Sequence, residues 1–418
     1  MITASIITIG DELLIGQVID TNSAFIAQSL NSIGIPVTRR VAVGDNWDEI
    51  WKALEYESSI NRLILITGGL GPTADDITKP LLCKYFNGKM VMNEDALQNV
   101  IHLFEKRFNR PVTERNRKQA EVPDTCKVLL NTNGTAPGMW FEKNNSIFIS
   151  LPGVPFEMQS LIREKVTPML VQKFSLPTII HKTLITFGVG ESMLADLIQD
   201  FETSLPNHIK LAYLPNHGIV RLRLSCIDNE NCNAEAEINN KFTELQELVA
   251  EYLIATDDEP LEKIVASLLK NNQQTLSTAE SCTGGYIAHL LSSNAGASSF
   301  YNGSIISYSN KCKEDMLFVN QNTLVTHGAV SKATVIEMTK GVLQQLHTDY
   351  AIAVSGIMGP DGGSTDKPVG TVWIAVGNKK NIQTNLFHLR FDRSKNIQLT
   401  AMYALNMLRQ FIIEQSIP

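Results

Sequence analysis

Apolar residues fall along this chain in two rhythms, short buried runs and stretches in which they recur every three or four positions. Ala4 to Ile9 reads as a buried strand. Ile26, Leu30 and Ile33 then recur at helical spacing and are closed by Gly34. A second helix carries Trp47, Ile50, Trp51 and Leu54, with Asn46 and Glu49 as a capping pair at its start. Leu63 to Thr67 is the next strand. This alternation predicts a mainly parallel sheet covered on both faces. The rhythm changes near Thr178, where Ile179 to Phe187 and Val220 to Cys226 alternate residue by residue. A polar loop (Asp228 to Asn233) and a long helix to about Leu253 complete a small α+β unit. The acidic, proline-ended stretch Thr256-Asp257-Asp258-Glu259-Pro260 reads as a linker. Beyond it, Leu261, Ile264, Val265, Leu268 and Leu269 predict a helix. The strands Gly303 to Ser307, Tyr350 to Val354 and Val369 to Ala375 follow, and a last helix carries Ile397, Ala401, Leu405 and Leu408. The expected fold is α/β in three domains: a three-layer domain over residues 1–175, a small α+β domain over 176–257 and a second three-layer α/β domain over 258–418.

Composition narrows the classes. The 418 residues are 44% hydrophobic and 19% charged, as in a globular protein with real cores. The net charge of −7 disfavours a dedicated nucleic-acid binder. The six cysteines are scattered without a CxxC pair, which fits reduced thiols in a cytoplasmic protein rather than a disulfide or zinc framework. No basic region precedes the first apolar run, and Asp11 and Glu12 follow it at once, so no signal peptide is expected. No run approaches a membrane span.

The chemistry gathers in turns that follow strands, where ligands bind in parallel sheets. Gly10-Asp11-Glu12-Leu13-Leu14 follows the first strand, and Gly68-Gly69-Leu70-Gly71-Pro72-Thr73-Ala74-Asp75-Asp76 follows Leu63 to Thr67. Glycines let backbone N–H groups approach a phosphate, and the adjacent carboxylates Asp75 and Asp76 suit a hard divalent cation. The same residues also suit a capped tight turn. The basic run Glu105 to Pro111 and Glu114 to Lys118 reads as a solvated helix face, or as a place where Arg115 or Lys118 meets a substrate phosphate or a partner subunit. In the last domain, Ala279-Glu280-Ser281-Cys282-Thr283-Gly284-Gly285 lies between an apolar run and an amphipathic one. It fits a nucleophile at a helix N-terminus with N–H groups to hold an oxyanion, and it fits a capped turn equally well. None of the eight histidines has the spacing of a Ser-His-Asp triad. A Ser-Lys arrangement is a known variant, and Tyr308 and Lys313 lie beyond a strand end. By spacing alone, Lys313 fits a solvated lysine as well as a base. Cys282 is a rival nucleophile by intrinsic reactivity.

Gly10 to Leu14, Asp20-Thr21-Asn22 and Thr67 to Asp76 resemble the molybdopterin-binding-like domain shared by molybdenum-cofactor enzymes and the CinA (competence/damage-inducible) family. Asn133-Gly134-Thr135-Ala136-Pro137-Gly138 and Leu151 to Met158 favour CinA. The resemblance implies metal-dependent cleavage of ADP-ribose to AMP and ribose 5-phosphate. It makes Asp75 and Asp76 metal residues, with Asp11 and Glu157 as weaker candidates, and places Gly10, Asp11, Asn22, Gly68, Gly69, Gly71 and Thr73 at the nucleotide. The middle unit resembles the KH-like linker of CinA proteins. Its Gly188-Val189-Gly190 lacks the GXXG spacing of an RNA clamp, so a structural role is expected. The heptad at 279–285, Tyr308-Ser309-Asn310 with Lys313, and Ser355-Gly356-Ile357 with Gly359-Pro360-Asp361-Gly362-Gly363 resemble the CinA C-terminal domain. That domain is similar to amidohydrolases that convert nicotinamide mononucleotide to nicotinate mononucleotide and ammonia. By resemblance Ser281 is the nucleophile, Lys313 the base, and Tyr308 a relay or orienting group. Thr283, Gly284 and Gly285 supply the oxyanion hole, and Gly359, Asp361, Gly362 and Gly363 line the nucleotide. Met358 stands where the family often has a small residue, which implies a tightened pocket. A homodimer is implied too. The rival expectations are a chain with one catalytic domain, its N-terminal part only binding a nucleotide or pterin, and an interaction protein linked to competence or DNA damage.

Overall fold

The computed structural model describes residues 2–73, 76–107, 109–176, 179–216, 218–227 and 234–416. The polar loop at Asp228 to Asn233 lies outside them. The chain divides into two compact units, residues 1–180 with 226–235, and residues 181–225 with 236–418.

In the first unit, six strands lie side by side in the order Val37–Val43, Ala4–Ile9, Leu63–Thr67, Ser146–Leu151, Gly138–Lys143 and Lys127–Leu129. The first four are parallel and the last two antiparallel. The period of two is visible in the cores. Ala4, Ile6, Leu63, Leu65, Ile147 and Ile149 face one apolar cluster, closed by Ile26 and Leu30 of the helix Thr21–Ser32. Ile7, Ile9, Ile64, Ile66 and Phe148 face another, closed by Ile50 and Leu54 of the helix Trp47–Ile60. Both faces are therefore covered by helices, as the unbroken apolar runs predict. Asn46 caps the second of these helices by accepting from the N–H groups of Asp48 and Glu49. Parallel pairing brings the turns after Ile9, Thr67 and Leu151 to one end of the sheet.

The second unit holds two sheets. One has the order Ile209–Asn216, Ile219–Ile227, Ile179–Phe187 and Leu253–Ala255. The other has the order Tyr301–Ile306, Leu276–Glu280, Tyr350–Gly356, Thr371–Gly377 and Ile382–His388. Its first three strands are parallel and its last two antiparallel. Ile352 and Val354 face the helices Leu261–Asn271 and Arg393–Ser416, whereas Ala351 and Ala353 face the helix Lys332–Leu346. Ile185, Phe187 and Ile219 of the smaller sheet belong to the same apolar cluster as Leu399, Leu405 and Leu408. The two sheets thus share one core. Among the described residues no helix is long and apolar enough to cross a membrane.

Candidate active site

Leu276–Glu280 is a central strand, buried throughout, and Ser281 follows at its carboxyl end. The Ser281 N–H donates to the Val354 carbonyl at 3.1 Å, which extends the sheet by one residue and fixes where the hydroxyl emerges. The chain then reverses through Gly284 and Gly285 at φ +60° and +99°, a backbone region that side chains rarely enter. The helix Tyr286–Ser292 begins there.

Glu280 holds this turn. Its carboxylate is fully buried and accepts from the N–H groups of Gly285 (3.0 Å), Ile287 (3.1 Å) and Ala288 (2.8 Å). It also accepts from the hydroxyls of Thr283 at 2.7 Å and Thr278 at 3.2 Å. Such a place suits buried acceptor oxygens, because the helix N-terminus supplies unpaired donors and partial positive charge. Of the backbone N–H groups expected at an oxyanion, those of Gly284 and Gly285 are engaged within the turn, whereas among the described residues no oxygen accepts from that of Thr283. The Gly285 N–H is committed to Glu280, the Gly284 N–H to the Ser281 carbonyl, and the Thr283 hydroxyl to Glu280.

Lys313 arrives from the helix Asn310–Leu317, which Ser309 caps by accepting from the Cys312 N–H at 3.1 Å. The cap sets Lys313 in the first turn, and its side chain runs back beneath the Ser281 turn, 1% exposed. Nζ lies 2.9 Å from Ser281 Oγ. It donates to the carbonyls of Ser307 at 2.7 Å and Tyr308 at 3.4 Å. Burial pulls the Lys313 pKa below its usual 10.5, against the weaker upward pull of Cys282 and Cys312. Nζ thus meets three oxygens, the Ser281 hydroxyl and the two carbonyls, and its lowered pKa brings the unprotonated form closer to neutral pH than in a free lysine. Burial pushes the neighbouring Cys282 thiol up to about 12.

Ser281, Cys282, Tyr308, Lys313, Met358, Gly359, Asp361 and Gly362 all line one cavity of about 270 Å³. Gly363 does not. It is tucked against the backbone of Pro368 and Val369, where a Cβ would come within 2.8 Å of the Val369 nitrogen. Met358 is 3% exposed and forms part of the wall, and its carbonyl accepts from Asn396 Nδ2 at 3.1 Å. The Tyr308 hydroxyl accepts from Arg393 Nη2 at 2.9 Å rather than meeting Ser281 or Lys313. The tyrosine therefore meets the lysine through its backbone carbonyl, and its ring stands on the rim. Arg393 also donates to the Gly359 carbonyl at 2.8 Å and lines the cavity, a residue the sequence reading missed.

In the first unit the Gly-rich turns converge as expected. Gly68, at φ +113°, passes so close to the first strand that a Cβ would lie 2.1 Å from the Ile9 carbonyl oxygen. Asn22 Nδ2 donates to Gly153 O at 2.7 Å and Thr67 Oγ1 at 3.2 Å, which ties three loops together. Among the described residues its Oδ1 is buried without a partner, as is Thr78 Oγ1. Arg115 and Lys118 are exposed. The carboxylates expected at a metal are otherwise engaged. Asp76 accepts from the N–H groups of Gly71 and Thr73, both at 2.8 Å, and from the Thr73 hydroxyl. Asp11 and Asp45 each accept from the other's backbone N–H, at 3.1 and 3.2 Å. Glu157 accepts from Asn131 Nδ2 at 2.6 Å, and burial raises its pKa. Among the described residues no three His, Cys, Asp or Glu side chains gather to hold a metal ion, and Asp75 lies outside those residues. The described donor set does not fit a metal, because Asp76 closes the Gly71–Thr73 turn on itself.

Three family models match successive parts of the chain. A probable molybdopterin binding domain covers residues 5–172, a damage-inducible protein CinA KH domain covers 181–255, and a CinA C-terminal domain covers 258–412. A CinA-like protein of Flavobacterium psychrophilum is 44% identical over 412 residues, 98% of this chain and 99% of its own. The chain belongs to the CinA family. CinA-like proteins of Cytophaga hutchinsonii (44% over 413 residues, 99% of each chain) and Chloroherpeton thalassium (41% over 420 residues, 98% of this chain and 99% of its own) are similar along the same length. The architecture is accordingly that of a CinA chain: a molybdopterin-binding-like domain, a KH-like domain and a CinA C-terminal domain.

Proposed function

We propose that the C-terminal domain deamidates nicotinamide mononucleotide to nicotinate mononucleotide and ammonia. One observation carries this reading: a buried lysine amine 2.9 Å from a serine hydroxyl at the floor of a cavity. Ser281 Oγ attacks the carboxamide carbon while its proton passes to Lys313 Nζ. Collapse of the tetrahedral intermediate breaks the C–N bond, and Lys313 returns that proton to the leaving nitrogen, which departs as ammonia. Water then attacks the acyl-enzyme. Its proton passes to Lys313 and on to Ser281 Oγ as the ester bond breaks, which releases the carboxylic acid and restores the enzyme; the acid then gives its proton to the released ammonia in solution. Arg393, on the same wall, supports a negatively charged nucleotide as substrate.

The base must be unprotonated, and that sets the pH dependence. The kcat/KM for ammonia release is expected to rise with pH and to level off at the lowered Lys313 pKa. A profile with no rise at any pH below 10.5 at which the chain stays folded overturns the lysine base. Stability moves the same way. Between the folded value and 10.5 the unfolded chain binds the extra proton, so folding gains as pH rises through that window.

For the N-terminal domain we propose cleavage of the pyrophosphate of ADP-ribose, with AMP and ribose 5-phosphate as products. The buried Asn22 Oδ1, without a partner among the described residues and set among glycine-rich strand ends, favours a hydroxyl-bearing ligand such as a ribose. The reaction's expected divalent cation is assigned no ligand here. AMP formation from ADP-ribose by the full chain, with and without added Mg²⁺, tests the reading. No AMP under either condition leaves this domain a binding module.

A further inference from the structure

A separate cavity of about 570 Å³ lies at the other end of the C-terminal sheet. The register places it. Gly356 pairs with Val372 at the Ser281 end, and Ala351 pairs with Gly377 at the far end, where the cavity's Asn378 and Lys379 follow. The span from Ala351 to Gly356 separates the two ends by roughly 17 Å at the rise of a strand.

The floor is apolar, formed by Ile336 and Leu343 of the helix Lys332–Leu346 and by Ile382. The rim is cationic. Lys340 stands on the helix, and Lys379 and Lys380 stand on a turn that Asn378 fixes by accepting from the N–H groups of Lys380 and Asn381, both at 2.9 Å. No carboxylate lines the cavity, and among the described residues no hydrogen bond or ion pair engages these three ammonium groups. Three ammonium groups around one cavity with no carboxylate in its lining repel one another, and here they do so in a chain of net charge −7. An anion relieves that repulsion. An anion with a flat apolar body also covers the floor, and the volume lies in the range of small-molecule sites.

We infer that this cavity is a second ligand site, which takes a nucleoside phosphate with its phosphate among Lys340, Lys379 and Lys380 and its base on Ile336, Leu343 and Ile382. A long polyanion is a poorer occupant, because the surrounding chain is acidic overall. The site does not depend on the amidase chemistry.

Hydrogen exchange of the full chain with AMP tests it. AMP is expected to slow exchange in residues 336–347 and 378–382, and inorganic phosphate at the same concentration to do so less. In the variant Lys340→Ala/Lys379→Ala/Lys380→Ala, the AMP concentration for half protection rises by about tenfold or more, as loss of charge-assisted contacts requires. Ser281→Ala keeps the protection, which separates this site from the amidase cavity. Should the triple variant fail to fold, Lys379→Ala/Lys380→Ala on the exposed turn gives the same reading. Absence of AMP protection in these segments, or protection unchanged in the variants, overturns the site. Equal protection by phosphate alone overturns the base contact. Protection by a single-stranded oligonucleotide but not by AMP overturns the ligand class.

Discussion

Ser281→Ala is expected to lower ammonia release from nicotinamide mononucleotide by roughly 10³-fold or more, and Lys313→Met by roughly 10²- to 10⁴-fold. Serine and lysine act as one device, so the double variant is expected to be no worse than Ser281→Ala alone. The methionine fills the buried lysine channel with a chain of similar length and no base, which separates lost chemistry from a lost fold. Cys282→Ala is the control. A thiol held at about 12 is ionised in only roughly one molecule in 10⁵ at neutral pH, too few to supply the nucleophile. The alanine variant is therefore expected to stay within a few-fold of the parent rate. Ammonia release at wild-type rate from folded Ser281→Ala would remove the serine from the mechanism. Loss of activity in Cys282→Ala with Ser281 intact would hand it the role instead.

Glu280→Ala is expected to produce a large loss of stability. The substitution orphans three helix N–H groups and the Thr283 hydroxyl at a fully buried point. Each orphaned group costs about 1–3 kcal/mol, and relaxation and water recover part of this, so a net loss of about 3–5 kcal/mol is expected. For a domain of this size that corresponds to a fall of about 10 °C in Tm, measurable by thermal denaturation. Glu280→Gln keeps the shape and one acceptor but turns an N–H₂ group toward N–H donors, so it falls between. Glu280 acts through the turn rather than on substrate. In Glu280→Gln the loss is expected mainly in kcat, with KM little changed, because the Ser281 geometry drifts while the rim at Arg393 stays. A melt unchanged from wild type in Glu280→Ala would mean that the glycines hold the turn without it.

Much of the architecture is written in the chain. Ala4 to Ile9 and Leu63 to Thr67 are apolar on both faces, and only a strand covered by helices on both sides has use for that. The place of Lys313 was half legible, because Ser309 before an amphipathic stretch signals a cap and so sets the lysine's position in its helix. What the lysine touches was not, since Ser281 reaches it only through pairing of Leu276–Glu280 with Tyr301–Ile306. Arg393 was invisible for the same reason. It meets Tyr308 and Gly359 across the fold, and nothing near it in sequence announces a site. Glu280 and Asp76 share a different feature. Each lies within a few residues of the N–H groups it accepts from, and a short-range bond of that kind competes with any outside ligand for the same oxygens. Reading Asp76 as a turn residue required only the Thr73-to-Asp76 spacing, a signal that was present and was weighed below the metal.

The core common to the two sheets of the second unit ties the KH-like segment to the C-terminal domain by cohesion alone. Phe187 meets Tyr403 edge-on with ring centroids 4.9 Å apart, and Leu399 packs in the same cluster as Ile219. Tyr403 and Leu399 stand on the helix that begins at Arg393. A chain cut after the linker would carry a raw apolar scar along that helix, the kind of surface that drives aggregation. The small sheet thus splints the C-terminal domain, and the two are expected to melt in one transition by calorimetry.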